Sequence, residues 1–221
     1  MSELIGWFIK ADFGPAGADR NPKDNFIMKH LSLGHRDATS LQEKYYREYG
    51  LVLKGLVRNH GIDPMVYNHE VDDAIPLDLL LGQDRRLQDL LKRLDVGKVK
   101  PWLLTNAFIN HADRVLKLLG VEEFFEGITY CDYGKAPIVC KPTQEMFKRA
   151  EQEAGVVIPG SCFLVDDSYQ NCQSAHARGW NAIHLAEPGL AFPKDLASEY
   201  LISSIQELPI VLPQLFTILT E

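Results

Sequence analysis

Runs of positive charge are missing from this sequence. Its 23 Lys and Arg are scattered among 30 Asp and Glu, and the net charge is −7. That distribution favours neither a nucleic acid nor an anionic membrane as partner, although one or two cations suffice for a small phosphate. Cysteine is scarce too: Cys131, Cys140, Cys162 and Cys172, with no C-x-x-C pair and no histidine at zinc-finger spacing. The pattern predicts reduced, mostly buried thiols in a cytosolic protein. No apolar segment reaches the length of a membrane span. The opening MSELIGWFIKAD has no basic n-region and too short an apolar stretch for a secretory signal. There is no internal repeat and no low-complexity tract. The expectation is a soluble protein of the cytoplasm, with the nucleus as a further compartment.

What is present is an ordinary globular composition, 46% hydrophobic and 24% charged. It is enough for one large domain, or a core with a small insert. The chain changes character along its length. Residues 26 to about 96 read helical: in SLQEKYYREYGLVLKGLVRNHG, Leu41, Tyr45, Tyr49, Leu53 and Leu56 recur at three or four, one helix face. DRRLQDLLKRL repeats this with Leu87, Leu90, Leu91 and Leu94. After residue 96 strands and helices alternate. VKPWLLTN, FFEGITYCD, SCFLVDD and NAIHLA read as strands, separated by the helices HADRVLKLLG, TQEMFKRAEQEAG and YQNCQSAHARG. The tail LPIVLPQLFTIL reads as a docking helix. Strict alternation with short connections predicts an α/β fold, a parallel sheet with helices on both faces. The helical block becomes an inserted cap at 37–96, between core segments 1–36 and 97–221.

In such sheets chemistry sits where strands stop. WLLTN stops on Thr105 and Asn106; FLVDD stops on Asp166 and Asp167; between them VCKPTQEMF places Lys141 before a proline and a helix. A hydroxyl, a lysine and an acid pair suit a phosphoryl group in transfer. Thr105 and the amides of the helix after it can donate to phosphate oxygens, Lys141 supplies a point charge, and the two carboxylates suit Mg²⁺. Adjacent carboxylates repel unless a cation joins them. Each signal alone has a plainer reading: a turn, a solvated loop lysine, a helix cap. Together, ordered on strand ends, they outweigh it.

These three stretches resemble the second, third and fourth motifs of the haloacid dehalogenase superfamily of phosphatases. YYREYGLVLKGLV, VDDAIPL, TNAFINHADRVLKLLG and FFEGITYCDY further resemble its fungal pyrimidine 5′-nucleotidase branch, over roughly residues 26 to 210. The resemblance implies a Rossmann-like core with a helical cap, and Mg²⁺-dependent hydrolysis of a phosphomonoester, a nucleotide, through an aspartyl-phosphate. It assigns phosphate binding to Thr105, Asn106 and Lys141, with Lys141 also steadying the nucleophile, and the metal to Asp166 and Asp167.

The family's first motif, a strand ending in Asp-x-Asp, does not occur in residues 1–25. Asp12 follows the short strand-like IGWFIKA and is the candidate nucleophile, but Gly14 stands where the second acid belongs. Asp12 as a lone survivor, a replaced or mispredicted N-terminus, and a non-catalytic relative are the three explanations. Of these a replaced N-terminus fits best, because the resemblance begins sharply near Phe26. The chain as written is expected to be catalytically impaired. In the cap, Tyr46 and Arg47 are candidates to bind a base, while spacing assigns Tyr45 and Tyr49 to a packed face. Asp72 and Asp73 read as a solvated loop that could touch a ribose, and His111 as a residue that could approach the phosphate. His184 reads as a core histidine, Asn171 as a residue orienting the acid pair and Ser168 as a helix cap. A non-catalytic nucleotide- or phosphate-binding protein on the same scaffold is the alternative function. A phospho-receiver domain is excluded by chain order, and dehalogenation is disfavoured by the acid pair.

Overall fold

The computed structural model describes residues 3–7, 21–186 and 195–217, the first five through their backbone. A parallel sheet forms its centre. The strands are β1 (Glu3–Trp7), β2 (Val99–Leu104), β3 (Gly127–Thr129), β4 (Cys162–Asp166), β5 (Asn181–Leu185) and β6 (Tyr200–Ile202). Their order is β3-β2-β1-β4-β5-β6, every neighbouring pair parallel. The chain steps outward from β1 to β3, then returns to the other side of β1 for β4. Such a reversal opens a crevice at the carboxyl ends of the strands on either side of it. In register, Trp7 lies level with Leu103 on one side and Val165 on the other.

The central strands read as continuous apolar runs because both faces are covered, and successive side chains alternate between two cores. Leu103, Phe163, Val165 and Ile183 enter one cluster. Trp102, Leu104, Cys162, Leu164 and Ala182 enter the other. The first core receives α5 (Leu77–Leu80), α6 (Arg85–Lys92) and α7 (Ile109–Leu119); the second receives α8 (Gln144–Ala154) and α9 (Tyr169–Ala177). Pro101 is accommodated inside β2 because β3 begins only at the next level, Gly127 opposite Trp102. The Pro101 carbonyl accepts from Glu126 N–H (3.0 Å), so the missing donor lies off the ladder.

A third cluster forms under α1 (Pro22–Leu31), α2 (His35–Tyr49), α3 (Val52–His60), α4 (Pro64–Tyr67) and the π-helical turn Asn68–Asp72. Phe26, Ile27, Tyr45, Leu53, Leu56, Tyr67 and Val71 fill it. Two readings change here. The periodic stretch from Leu41 to Leu56 is two helices, broken where Gly50 adopts φ 72° and its N–H caps Tyr46 O at 2.8 Å. The apolar stripe persists because both helices bury the same side. The helices also divide differently from the 37–96 cap: α1 packs with the helical layer, and α6 with Leu94 packs against the sheet. Periodicity shows that a helix has an apolar face, not which layer receives it.

The tail docks, but not as one helix. α10 (Leu208–Val211) tolerates Pro209 in its first turn and stops before Pro213. Leu208, Leu212, Leu215 and Phe216 are buried against the first core. The β6 strand, only three residues long, is too short for a periodic signal and was not expected. The four cysteines are buried and free of disulfides. Among the described residues no helix is long and apolar enough to cross a membrane.

One buried charge gives the fold a pH dependence. Glu151 on α8 receives Arg178 through two hydrogen bonds (2.7 and 2.6 Å) and Trp180 Nε1 at 2.8 Å. Burial pushes its carboxyl up, but the Arg178 and Trp180 hydrogen bonds outweigh it and hold the pKa below the usual value. A carboxyl depressed on folding stabilises the protein above its unfolded pKa of about 4.3 and loses that contribution as pH falls through the folded value. Urea midpoints of the wild type are therefore expected to fall more steeply below about pH 5 than those of Glu151→Gln. Parallel curves would show that Glu151 is not the acid-sensitive group.

Candidate active site

The alternation of β4 decides what Asp166 meets. Cys162 and Leu164 face α8 and α9, so Asp166 is the next residue of the strand on that face. Lys141 lies three residues before α8, and Asn171 lies in the first turn of α9. All three converge. Lys141 Nζ lies 2.7 Å from Asp166 Oδ2, with both side chains wholly buried. Asp166 Oδ1 accepts from Ser168 N (2.9 Å) and Asn171 Nδ2 (2.9 Å). Lys141 Nζ also donates to Leu104 O at 2.7 Å, so one ammonium joins the carboxyl ends of β2 and β4 across the position of β1.

Such a pair resists the cost of burial only because each charge is held by several hydrogen bonds. This accounts for one member of the acid pair without a metal. Asp167 is half-buried, and its carbonyl meets His184 Nε2 at 3.2 Å. The other His184 ring nitrogen, Nδ1, has no hydrogen-bond partner among the described residues. Ser168 caps α9, its hydroxyl accepting from Asn171 N–H, as its place before the helix suggested.

Thr105 follows β2 at the same end of the sheet. Its hydroxyl accepts from Ala107 N–H (3.1 Å), a turn that aims the chain into α7. The side chain of Asn106 turns to the Lys141 peptide. Its Oδ1 accepts from Lys141 N at 2.7 Å and its Nδ2 donates to Lys141 O at 3.0 Å. With both ends of the amide committed to one peptide segment, Asn106 positions Lys141. Gly50 presses on the same segment: a Cβ there would stand 2.6 Å from Lys141 O and 2.2 Å from Pro142 Cδ. No periodicity could reveal this glycine's role, because it depends on a neighbour 91 residues away in sequence.

The helical layer reaches the site through Tyr46. The residue is 49% exposed, yet burial of its hydroxyl end pushes its pKa up, opposed by a hydrogen bond with Ser168 and assisted by Asp167 and Asp166. Arg47 is exposed, and its carbonyl accepts from Gln170 Nε2 at 3.2 Å. Tyr45 is buried and Tyr49 half-buried, as their spacing predicted.

Asp72 and Asp73 form no solvated loop. They end the π-helical turn, a local geometry frequent at functional sites. Tyr133, buried and stacked on Phe108, has its hydroxyl 3.1 Å from Asp72 Oδ2 and 3.2 Å from Asn106 O. Burial pushes the Asp72 carboxyl up, with His111 and Tyr133 opposing. His111 Nδ1 meets Asp72 O at 3.3 Å, so it faces the turn. Tyr133 carries no signal of its own in the sequence, as a tyrosine after a short strand. Asp12 lies outside the described residues, five positions beyond the last described residue of β1.

The donor set of the acid pair fits a hard cation. Three of the roughly four acceptor sites of Asp166 are taken, and Asp167 adds a second carboxylate. Mg²⁺ is commonly held by one or two carboxylates, with water and substrate phosphate completing its shell. Among the described residues no group of three or more His, Cys, Asp or Glu is placed to hold a metal by itself.

Comparison with known proteins matches residues 10–179 to the haloacid dehalogenase-like hydrolase family. The chain belongs to that family. Among curated proteins, Phosphate metabolism protein 8 of Saccharomyces cerevisiae is 40% identical over 173 residues, covering 74% of this chain and 54% of the relative. The chain thus spans about half the length of the curated relative it matches. Solved haloacid dehalogenase-like structures share the fold at low identity. The HAD-hydrolase YfnB of Bacillus subtilis, bound to magnesium, superposes with a TM-score of 0.64 at 14% identity, covering 96% of this chain and 98% of that one. The HAD phosphatase of Thermococcus onnurineus gives 0.54 at 18%, covering 96% and 98%. The L-2-haloacid dehalogenase of Xanthobacter autotrophicus, with chloropropionic acid covalently bound, gives 0.59 at 12%, covering 96% and 99%.

Proposed function

We propose that this chain is a phosphomonoester hydrolase of the nucleotidase type, working on nucleotide 5′-monophosphates with Mg²⁺, and impaired as written. The buried Lys141–Asp166 pair at the switch of strand order carries the reading. It fixes an ammonium and a carboxylate beside Thr105, where a phosphate would need a donor, a cation and a metal ligand. Asp166 and Asp167 would hold Mg²⁺, which supplies charge neutralisation at the phosphate oxygens. Asn171 and Ser168 orient Asp166; Asn106 orients Lys141; Tyr46 and Arg47 of the helical layer are the candidates to bind the nucleoside. Impairment follows from the first 25 residues, which hold no Asp-x-Asp and leave Asp12 as the one candidate nucleophile without its acid/base partner. The same absence favours a second reading, a non-catalytic nucleotide- or phosphate-binding protein on this scaffold.

Two measurements on one sample separate these. Calorimetric titration with uridine and adenosine 5′-monophosphates is expected to show binding that requires Mg²⁺ and is lost in Asp167→Asn. Phosphate release is expected to be slow, Mg²⁺-dependent and abolished by Asp166→Asn. Binding without any release supports the non-catalytic reading, and neither binding nor release overturns both.

A further inference from the structure

The helical layer ends on a polar junction that the proposed chemistry leaves unused. Its last turn, Asn68–Asp72, is held to α7 by backbone contacts: His111 Nδ1 lies 3.3 Å from Asp72 O, and Arg114 donates to Asp73 O (3.3 Å) and Ile75 O (3.1 Å). The Asp73 carboxylate is turned back into the layer, where Asn68 Nδ2 donates to it at 2.9 Å. The Asp72 carboxyl instead crosses to the loop after β3, its Oδ2 3.1 Å from the Tyr133 hydroxyl. The same hydroxyl is 3.2 Å from the Asn106 carbonyl. Asn106 in turn grips the Lys141 peptide at 2.7 and 3.0 Å. Polar contacts thus run unbroken from the helical layer to the lysine paired with Asp166. The Tyr133 ring is buried and stacked on Phe108, centroids 5.4 Å apart, so its hydroxyl is held in place.

We propose that Tyr133 is a positioning residue, whose hydroxyl passes the protonation state of Asp72 to Asn106 and so to the placement of Lys141. The role in nucleotide binding rests on the function proposed above. A phenol carries one proton, and Tyr133 meets two acceptors. With Asp72 ionised, the proton goes to the charged acceptor, and the Asn106 carbonyl loses its donor. When Asp72 takes a proton from solvent, its O–H donates to the Tyr133 oxygen and the phenol proton turns to Asn106 O. The bridge is then complete. Burial lifts the Asp72 carboxyl above its ordinary value, against His111, Tyr133 and Lys23 and with Asp73 assisting. Burial likewise pushes the Tyr133 phenol well up, so it keeps its proton. The ionisable groups around Asp72 are therefore His111 and Arg114 on α7, Lys23 on α1, Tyr67 on α4, Tyr133 and Asp73.

Heteronuclear NMR of the whole chain tests this between about pH 4 and 8, following the Asp72 carboxyl carbon, the Asn106 side-chain amide and the Lys141 backbone amide. In the wild type both amides are expected to shift along the Asp72 titration curve. In Tyr133→Phe, which retains the ring on Phe108, the carboxyl still titrates and the amides stay flat. In Asp72→Asn they stay flat at the wild-type low-pH position, because the new amide donates permanently to the Tyr133 oxygen. Amides that are flat in the wild type, or that respond equally without the hydroxyl, would overturn the proposal. So would a response surviving in Asp72→Asn, which retains His111 and would assign the shift to the imidazole. Calorimetry with Mg²⁺ and uridine 5′-monophosphate adds the binding arm, each affinity taken relative to Asp72→Asn at the same pH so that titration of the phosphate cancels. The wild type is expected to match Asp72→Asn at low pH and fall about 3–10-fold below it at high pH, the worth of one hydrogen bond. Tyr133→Phe is expected at the weaker level throughout. Equal affinities of all three at every pH would overturn the positioning role. Absence of binding in all three would instead sink the proposed function, and the amide signals alone would then decide the bridge.

Discussion

Replacing Lys141 by methionine is expected to lower the stability of the folded chain by about 3–5 kcal/mol, seen as a drop in the urea midpoint at neutral pH. Methionine fills most of the volume, so the loss is electrostatic. Asp166 would keep Ser168 N and Asn171 Nδ2 but lose the ammonium 2.7 Å away, at a carboxylate wholly buried from solvent. The Leu104 carbonyl would lose its donor as well. Lys141→Met combined with Asp166→Asn is expected to be more stable than Lys141→Met alone, because the amide removes the orphaned charge. If Lys141→Met costs less than about 1 kcal/mol, the range of an exposed pair, the two charges are not buried together.

Gly50→Ala is expected to cost about 2–5 kcal/mol, combining a left-handed backbone of about 1–2 with overpacking of about 1–3. The added methyl would fall 2.6 Å from Lys141 O and 2.2 Å from Pro142 Cδ, and both neighbours are constrained. Gly61 provides the comparison: it has φ 65° with nothing within 4 Å of the added Cβ. Gly61→Ala is therefore expected to show the backbone term alone, about 1–2 kcal/mol. Equal losses in thermal or urea unfolding would mean that the Gly50 contact contributes nothing. A larger loss at Gly50, together with weakened nucleotide binding, would tie the helical layer to the placement of Lys141.

The α/β architecture was legible because both periods are strong here. Leu87, Leu90, Leu91 and Leu94 mark a helix, and FLVDD is a buried strand ending on acids. The strand ends pointed to Thr105, Lys141 and Asp166, since a parallel sheet gathers such residues at one edge. The layer assignment of α1 and α6 was not legible, because an apolar stripe does not say what it packs against. Nor were the amide of Asn106 on Lys141, the hydroxyl of Tyr133 on Asp72, or the pressure of Gly50. Each is a contact between distant segments, and such contacts leave no local periodic trace.

The middle position of β1 also imposes an order of events during synthesis. The strand can pair with β2 once Leu103 has emerged, but its other edge stays open until β4 arrives. At ribosomal rates of about 5–20 residues per second, the roughly 60 residues between them take about 3–12 s. For that interval the nascent chain carries an unpaired strand edge, a template for mispairing with a neighbouring chain. Only the arrival of β4, the strand that ends on Asp166, closes it.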